Sequence, residues 1–90
     1  MPILRIPDPL RAYTAGQGEI KLRGHTVAQA LDDLAEQHPA LQPHLFDEQG
    51  ALRSFISLFV GEESWNDLQG LETPLQEDDR LLLIFNIVGG

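Results

Sequence analysis

Histidines, adjacent carboxylates and a closing pair of glycines are the residues of this 90-residue sequence with chemistry to offer. His25, His38 and His44 carry imidazoles, but no two of them stand at the i, i+3 or i+4 spacing that presents a pair on one helical face. They read as surface histidines, and no metal site is expected. The carboxylates of Asp32 and Asp33, Glu62 and Glu63, and Asp78 and Asp79 are neighbours in sequence, the arrangement least suited to acid–base work. Adjacent side chains point apart on a helix or strand, so these pairs read as solvated surface. The sequence has no cysteine, hence no thiol nucleophile, and no glycine-rich phosphate loop. No catalytic residue is expected. What remains is the end of the sequence, "LLLIFNIVGG", where an apolar run gives way to Gly89 and Gly90. Glycine loses more freedom on ordering than any other residue and offers nothing to pack. The pair either frays or is itself the working end.

Six basic residues against fourteen acidic ones give a net charge of −8. That charge repels phosphate backbones and anionic bilayers, so neither nucleic acid nor membrane is an expected partner. A basic protein surface is. The absence of cysteine fits a reducing compartment. "MPILRIPDPL" lacks the pattern of a signal peptide, and no apolar run is long enough to span a bilayer. The expected location is the cytoplasm. Ninety residues suffice for one small core, so a single domain over 1–90 is expected, with 89–90 as a flexible arm.

The elements that must carry this arm can be read in order. Residues 3–6, "ILRI", form a strand stopped by Pro7 and Pro9. Residues 19–22, "EIKL", form a second strand, hairpin-paired with the first across the permissive turn at 15–18. In "HTVAQALDDLAEQHP", Thr26 and Gln29 make a capping box, Val27, Ala30, Leu31 and Leu34 fall on one helical stripe, and Pro39 stops the helix. One helical turn is expected around 41–46, a third strand over 53–60 closed by a turn at Gly61 and "EES", a brief helical turn at Thr73 and Pro74, and a last strand from 80 or 81 to 88. Two strands almost continuously apolar belong in the middle of a sheet with a helix on one face. The expected fold is α+β, a β-grasp or ubiquitin-like mixed sheet with first and last strands parallel and one main helix across it.

Strand parity then divides the last strand. Asn86, its one polar residue, puts Leu82, Ile84 and Val88 on the outer face and Leu81, Leu83, Phe85 and Ile87 toward the helix. Ser57 likewise sends Phe55 and Phe59 outward. Phe55, Phe59, Leu82 and Ile84 are therefore the candidate partner-binding patch.

The segments "IPDPLRAYTAGQGEI", "TVAQALDDLAEQHP", "FISLFVGEE" and "LETPLQEDDRLLLIF", followed by the final "GG", resemble the small sulfur-carrier proteins of the MoaD/ThiS family over nearly the whole length. "LRAYTAG" most resembles the branch that feeds cysteine synthase. The resemblance implies a carrier rather than an enzyme. An E1-like enzyme, using ATP and Mg, would adenylate the Gly90 carboxylate, and sulfur would displace AMP to leave a thiocarboxylate. Gly89 and Val88 would form the arm, and this chain would bind no cofactor of its own. The acceptor would be a cysteine synthase-like enzyme, a molybdopterin synthase large subunit-like enzyme, or one making thiamine thiazole or a related sulfur metabolite. The alternative is a ubiquitin-like modifier joined through Gly90 to target lysines. With Lys21 as its one lysine, the chain is poorly suited to building polymers of itself.

Overall fold

The computed structural model describes residues 1–85. Residues 3–5 rise as β1 (Ile3–Arg5), and the two prolines that end it open a 3₁₀ segment, Asp8–Thr14. Ala15 and Gly16 then adopt positive φ, and β2 (Glu19–Lys21) returns antiparallel to β1. Thr14 is buried inside this connection, its hydroxyl 2.8 Å from the Gln17 carbonyl.

Helix α1 (Val27–Gln37) begins as the capping pattern predicts. The Thr26 hydroxyl accepts from the Gln29 amide at 3.2 Å. The Gln29 side chain reaches one residue further back than in the usual capping box, accepting from the His25 amide at 2.8 Å. Val27, Ala30, Leu31 and Leu34 are all buried, so the stripe read from the sequence is the packed face. Two further polar contacts set the helix against the sheet edge. Asp33 Oδ2 accepts from the Arg23 amide at 2.8 Å, and Gln37 Nε2 donates to the Lys21 carbonyl at 2.9 Å, occupying an acceptor on the short edge strand β2.

A 3₁₀ turn at Pro39–Leu41 and the four-residue α2 (Gln42–Leu45) follow, then β3 (Ile56–Val60), β4 (Glu63–Ser64), 3₁₀ turns at Trp65–Asp67 and Gly70–Glu72, and β5 (Arg80–Phe85). The sheet order is β2-β1-β5-β3-β4, with β1 and β5 parallel and every other pair antiparallel. This is the mixed sheet with first and last strands side by side that the sequence predicts. Leu4, Ile20, Leu58, Leu81 and Leu83 leave the sheet on the helix side and join the α1 stripe in one core with Leu41, Leu45 and Leu75. Each such leucine, fully removed from water, contributes roughly 1.5–3 kcal/mol before entropy is counted. Among the described residues no helix is long and apolar enough to cross a membrane.

Three local readings differ from the structure. Residues 53–55 are not strand: the Ile56 amide bonds the Arg53 carbonyl in a turn, and the Arg53 guanidinium is held by the Pro43 carbonyl at 3.0 and 3.1 Å. "EES", read as part of a turn, contains the two-residue β4, which the positive φ of Gly61 folds back onto β3. Thr73 and Pro74 open no helical turn. Thr73 closes one, its hydroxyl donating to the Gly70 carbonyl at 2.7 Å, while Pro74 forms an isolated bridge with Thr26. The amides of Val27 and Leu75 complete this clamp, bonding the carbonyls of Thr73 and His25 at 3.0 and 2.8 Å. The readings of Asn86, Ile87 and Val88 as strand lie outside the described residues.

At Gly24 the chain passes close against the helix. Its φ is +147°, and a Cβ there would meet the Ala30 nitrogen and Gln29 Cβ at 2.8 Å. Gly24→Ala should therefore cost about 2 kcal/mol or more, from backbone strain plus contact with helix backbone that cannot move aside. Gly50→Ala, also at positive φ but in open space, should cost about 1 kcal/mol. Urea denaturation of the two variants checks the difference; equal losses would place Gly24 in a looser junction than described.

Candidate functional site

Strand β5 is paired on both sides, so its register fixes what each face presents. Leu82 stands opposite Phe59 and Ile84 opposite Ser57, while Leu81 and Leu83 oppose Val60 and Leu58. Residues directly opposite in a sheet share a face. Burial agrees: Leu83 is 2% exposed and Ile84 is 37% exposed. Phe59, Leu82 and Ile84 thus stand together on the face turned away from α1. Phe55 does not share that register. It sits in the turn before β3, 44% exposed, with its ring edge-on to Phe85 at 6.1 Å between centroids. Phe85 opposes the buried Ile56, so Phe55 extends the apolar surface around the sheet's end rather than across its outer face.

Sequence reasoning about strands β3 and β5 missed the other half of this face. On β1 and β2 only Leu4 and Ile20 turn inward, which leaves Ile3, Arg5, Glu19 and Lys21 outward. Arg80 on β5 joins them opposite Ile3, and its guanidinium pairs with Glu19 at 3.6 Å. Between them lies a depression of about 250 Å³ whose lining includes Ile3, Arg5, Glu19, Arg80 and Leu82. Three of the six basic residues therefore stand on these strands against one carboxylate, although the whole chain carries −8. The expectation of a basic partner followed from net charge, which averages over the surface; this face is apolar with a cationic side. The alternation of "ILR" and "EIK" around a single inward residue was the available signal.

Of the other candidates, Asp33, Asp79, His38 and His44 make local structural contacts. Asp33 holds Arg23 and Gln37, and Asp79 Oδ2 accepts from the Gln76 amide at 2.7 Å in the turn before β5. His38 closes α1, and His44 is stacked on Tyr13 with centroids 4.0 Å apart. The three histidines are not gathered, and among the described residues no group of three His, Asp or Glu side chains converges as metal ligands would. Val88, Gly89 and Gly90 lie outside the described residues.

A five-stranded mixed sheet with parallel first and last strands, one helix across its inner face and an apolar outer face defines a ubiquitin-like β-grasp protein. Within that class the chain belongs to the ThiS family, whose model matches residues 4–90. It is 28% identical over 87 residues to the sulfur carrier protein CysO of Mycobacterium tuberculosis, covering 94% of each chain. Among solved structures it is similar to a chain of the Amycolatopsis orientalis BexX/CysO complex, with 29% identity, full coverage of both chains and a TM-score of 0.88. It is also similar to the small archaeal modifier protein 1, SAMP1, of Methanosarcina acetivorans, at 28% identity and a TM-score of 0.82 over 99% of this chain and 95% of that one.

The register makes opposite demands on adjacent residues. Ile84→Asp, placing its carboxylate in water, should change stability by less than about 1 kcal/mol. Leu83→Asp would leave a charge unpaired in the core and should cost more than about 3 kcal/mol. Thermal denaturation of both variants checks this; a collapsed Ile84→Asp would reverse the assignment of faces.

Proposed function

We propose that the chain is a sulfur carrier whose working group is the carboxylate of Gly90. The observation that carries this reading is that the family match runs through residue 90, so the diglycine lies inside the region shared with the family. The likeness to CysO sulfur carriers supports it.

The chemistry follows from what a carboxylate lacks. It is anionic at neutral pH and a poor electrophile, so a nucleophile cannot attack it directly. An E1-like enzyme supplies the activation: a Gly90 oxygen attacks the α-phosphorus of ATP, pyrophosphate leaves with Mg, and an acyl adenylate forms. Hydrosulfide then attacks the acyl carbon and AMP and a proton depart, leaving a thiocarboxylate; with a protein persulfide as donor, the acyl disulfide formed is cleaved by a thiol, which is left in a disulfide. The sulfur passes to an accepting synthase, cysteine synthase-like or molybdopterin synthase large subunit-like, and the carboxylate is regenerated. The chain itself holds no cofactor and turns nothing over. Two extended glycines span about 7 Å without a side chain, enough to enter a narrow channel. Phe59, Leu82 and Ile84, with Phe55 at the sheet's end, provide the docking surface, and Arg5, Lys21 and Arg80 favour an acidic margin on the partner.

The likeness to SAMP1 favours a second reading, a modifier joined through Gly90 to lysines of other proteins. Both readings need the same activated carboxylate, and they part at its fate. Intact mass after incubation with the cognate E1-like enzyme, ATP and a sulfur donor separates them. One oxygen exchanged for sulfur supports the carrier, and conjugates through lysine support the modifier. An unchanged chain contradicts both.

Deleting Gly90 should leave the melting temperature unchanged and abolish sulfur loading, because the reactive carbon would fall about 3.5 Å short. Gly89→Val should keep the carboxylate yet slow loading, since a β-branched side chain stiffens and widens the arm. Loading of the deletion variant at the wild-type rate would overturn the proposal.

A further inference from the structure

A second apolar surface lies on the helix side, away from the sheet's outer face. Ala28, Leu31 and Ala35 follow one another along α1 at helical spacing, and with Phe46 and Leu71 they line a groove of about 230 Å³. The alanines keep the helix surface low between two larger side chains. Leu71, from the 3₁₀ turn Gly70–Glu72, is 48% exposed, the most exposed large apolar side chain among the described residues. A half-open leucine beside a helix is an incomplete contact.

The surroundings of the groove are acidic. Asp32 is part of its lining, Glu36 stands one helical turn further along α1, Asp47 and Glu48 follow Phe46, and Glu72 follows Leu71. Asp32, Glu36, Glu48 and Glu72 make no ion pair among the described residues, where Arg11, Arg80 and the amino terminus are engaged elsewhere. The nearby Arg53 guanidinium is held by the Pro43 carbonyl. An apolar seat with Asp32 in its lining and further carboxylates on the adjoining segments, offset in part by Arg53 beside Asp47 and Glu48, is complementary to one kind of occupant.

We infer that this groove docks a cationic amphipathic segment of a partner protein, seating an apolar side chain between Ala28, Ala35, Phe46 and Leu71 while Lys or Arg residues meet the flanking carboxylates. The volume is below the roughly 300–1,000 Å³ of ordinary small-molecule sites and suits a side-chain anchor. A second copy of the chain carries a net −8 that opposes self-association, and docking through its own cationic sheet side is the outcome that concentration-dependent shifts would reveal. Because the groove and the sheet's outer face lie on different sides of the fold, both can be occupied at once. The inference does not rest on the carrier reading.

The test titrates the isotope-labelled full chain with a short synthetic peptide bearing leucines at i, i+4 and i+7 and lysines elsewhere, read by amide chemical shifts. Shifts should concentrate at Ala28, Leu31, Ala35, Phe46 and Leu71 and leave Phe59, Leu82 and Ile84 unmoved. Leu71→Ser and Asp32→Lys, both at exposed positions, should each weaken binding about tenfold. Asp32→Lys should also flatten its salt dependence. A peptide with serines in place of leucines should not bind. Four results would overturn the inference: no binding, shifts spread over Glu62, Glu63 and Asp78 with indifference to Leu71→Ser, shifts on the sheet face, or groove shifts that grow with protein concentration alone.

Discussion

Leu81 and Leu83 reach the helix-side core only because β5 lies between β1 and β3 in the observed register. The parallel pairing of Leu4 with Leu81 is the long-range contact on which this depends, joining the two ends of the sequence across the fold. Parallel pairs cannot be closed by a tight turn, so the hydrophobic pattern must specify the register. A slip by one residue would bury Leu82 and Ile84 and expose Leu81 and Leu83. It would also turn Arg80 inward, where an unpaired guanidinium is costly. The charge of Arg80 thus reinforces what the leucines favour, and the same register that closes the core produces the outer face.

The helix is held against this sheet at both ends by different means. At its start, Thr26 and Gln29 cap the first turn while the Thr73–Leu75 strand-like segment bonds His25 and Val27. Along its length, Asp33 and Gln37 hold the return from β2. These polar contacts leave the other side of α1 free, low and acidic. Charge is thereby unevenly distributed: cations gather on the outward face of the sheet along β2, β1 and β5, and carboxylates flank the helix. Net charge alone conceals that division, and it is the division that a partner meets.

Much of the architecture was legible because it rests on local patterns. The α1 stripe, its cap, its stop at Pro39 and the inward parity of Leu81 and Leu83 all follow from spacing. What could not be read depends on distant partners. Residues 53–55 have strand-forming composition, yet Arg53 is captured by Pro43 and a turn forms instead. Two residues are too few for β4 to show a period, and Pro74 is placed by Thr26 rather than by its own preference. Of the candidate site, Phe59, Leu82 and Ile84 share the face that parity assigns, and Phe55 was misplaced with the strand start. The alternation in "ILR" and "EIK" was visible, but that Arg5 and Lys21 share a face with Arg80 depends on the pairing of β1 with both β2 and β5.

The chain belongs to the ThiS family, and its strand β5 is held centrally between β1 and β3. In the proposed carrier, chemistry begins at Gly90. ATP–pyrophosphate exchange by the cognate E1-like enzyme tests that first step without depending on the sulfur donor or the final acceptor. Saturable exchange that requires this chain and disappears when the Gly90 carboxylate is converted to an amide is the expected result. Exchange sustained by the amidated chain would contradict it.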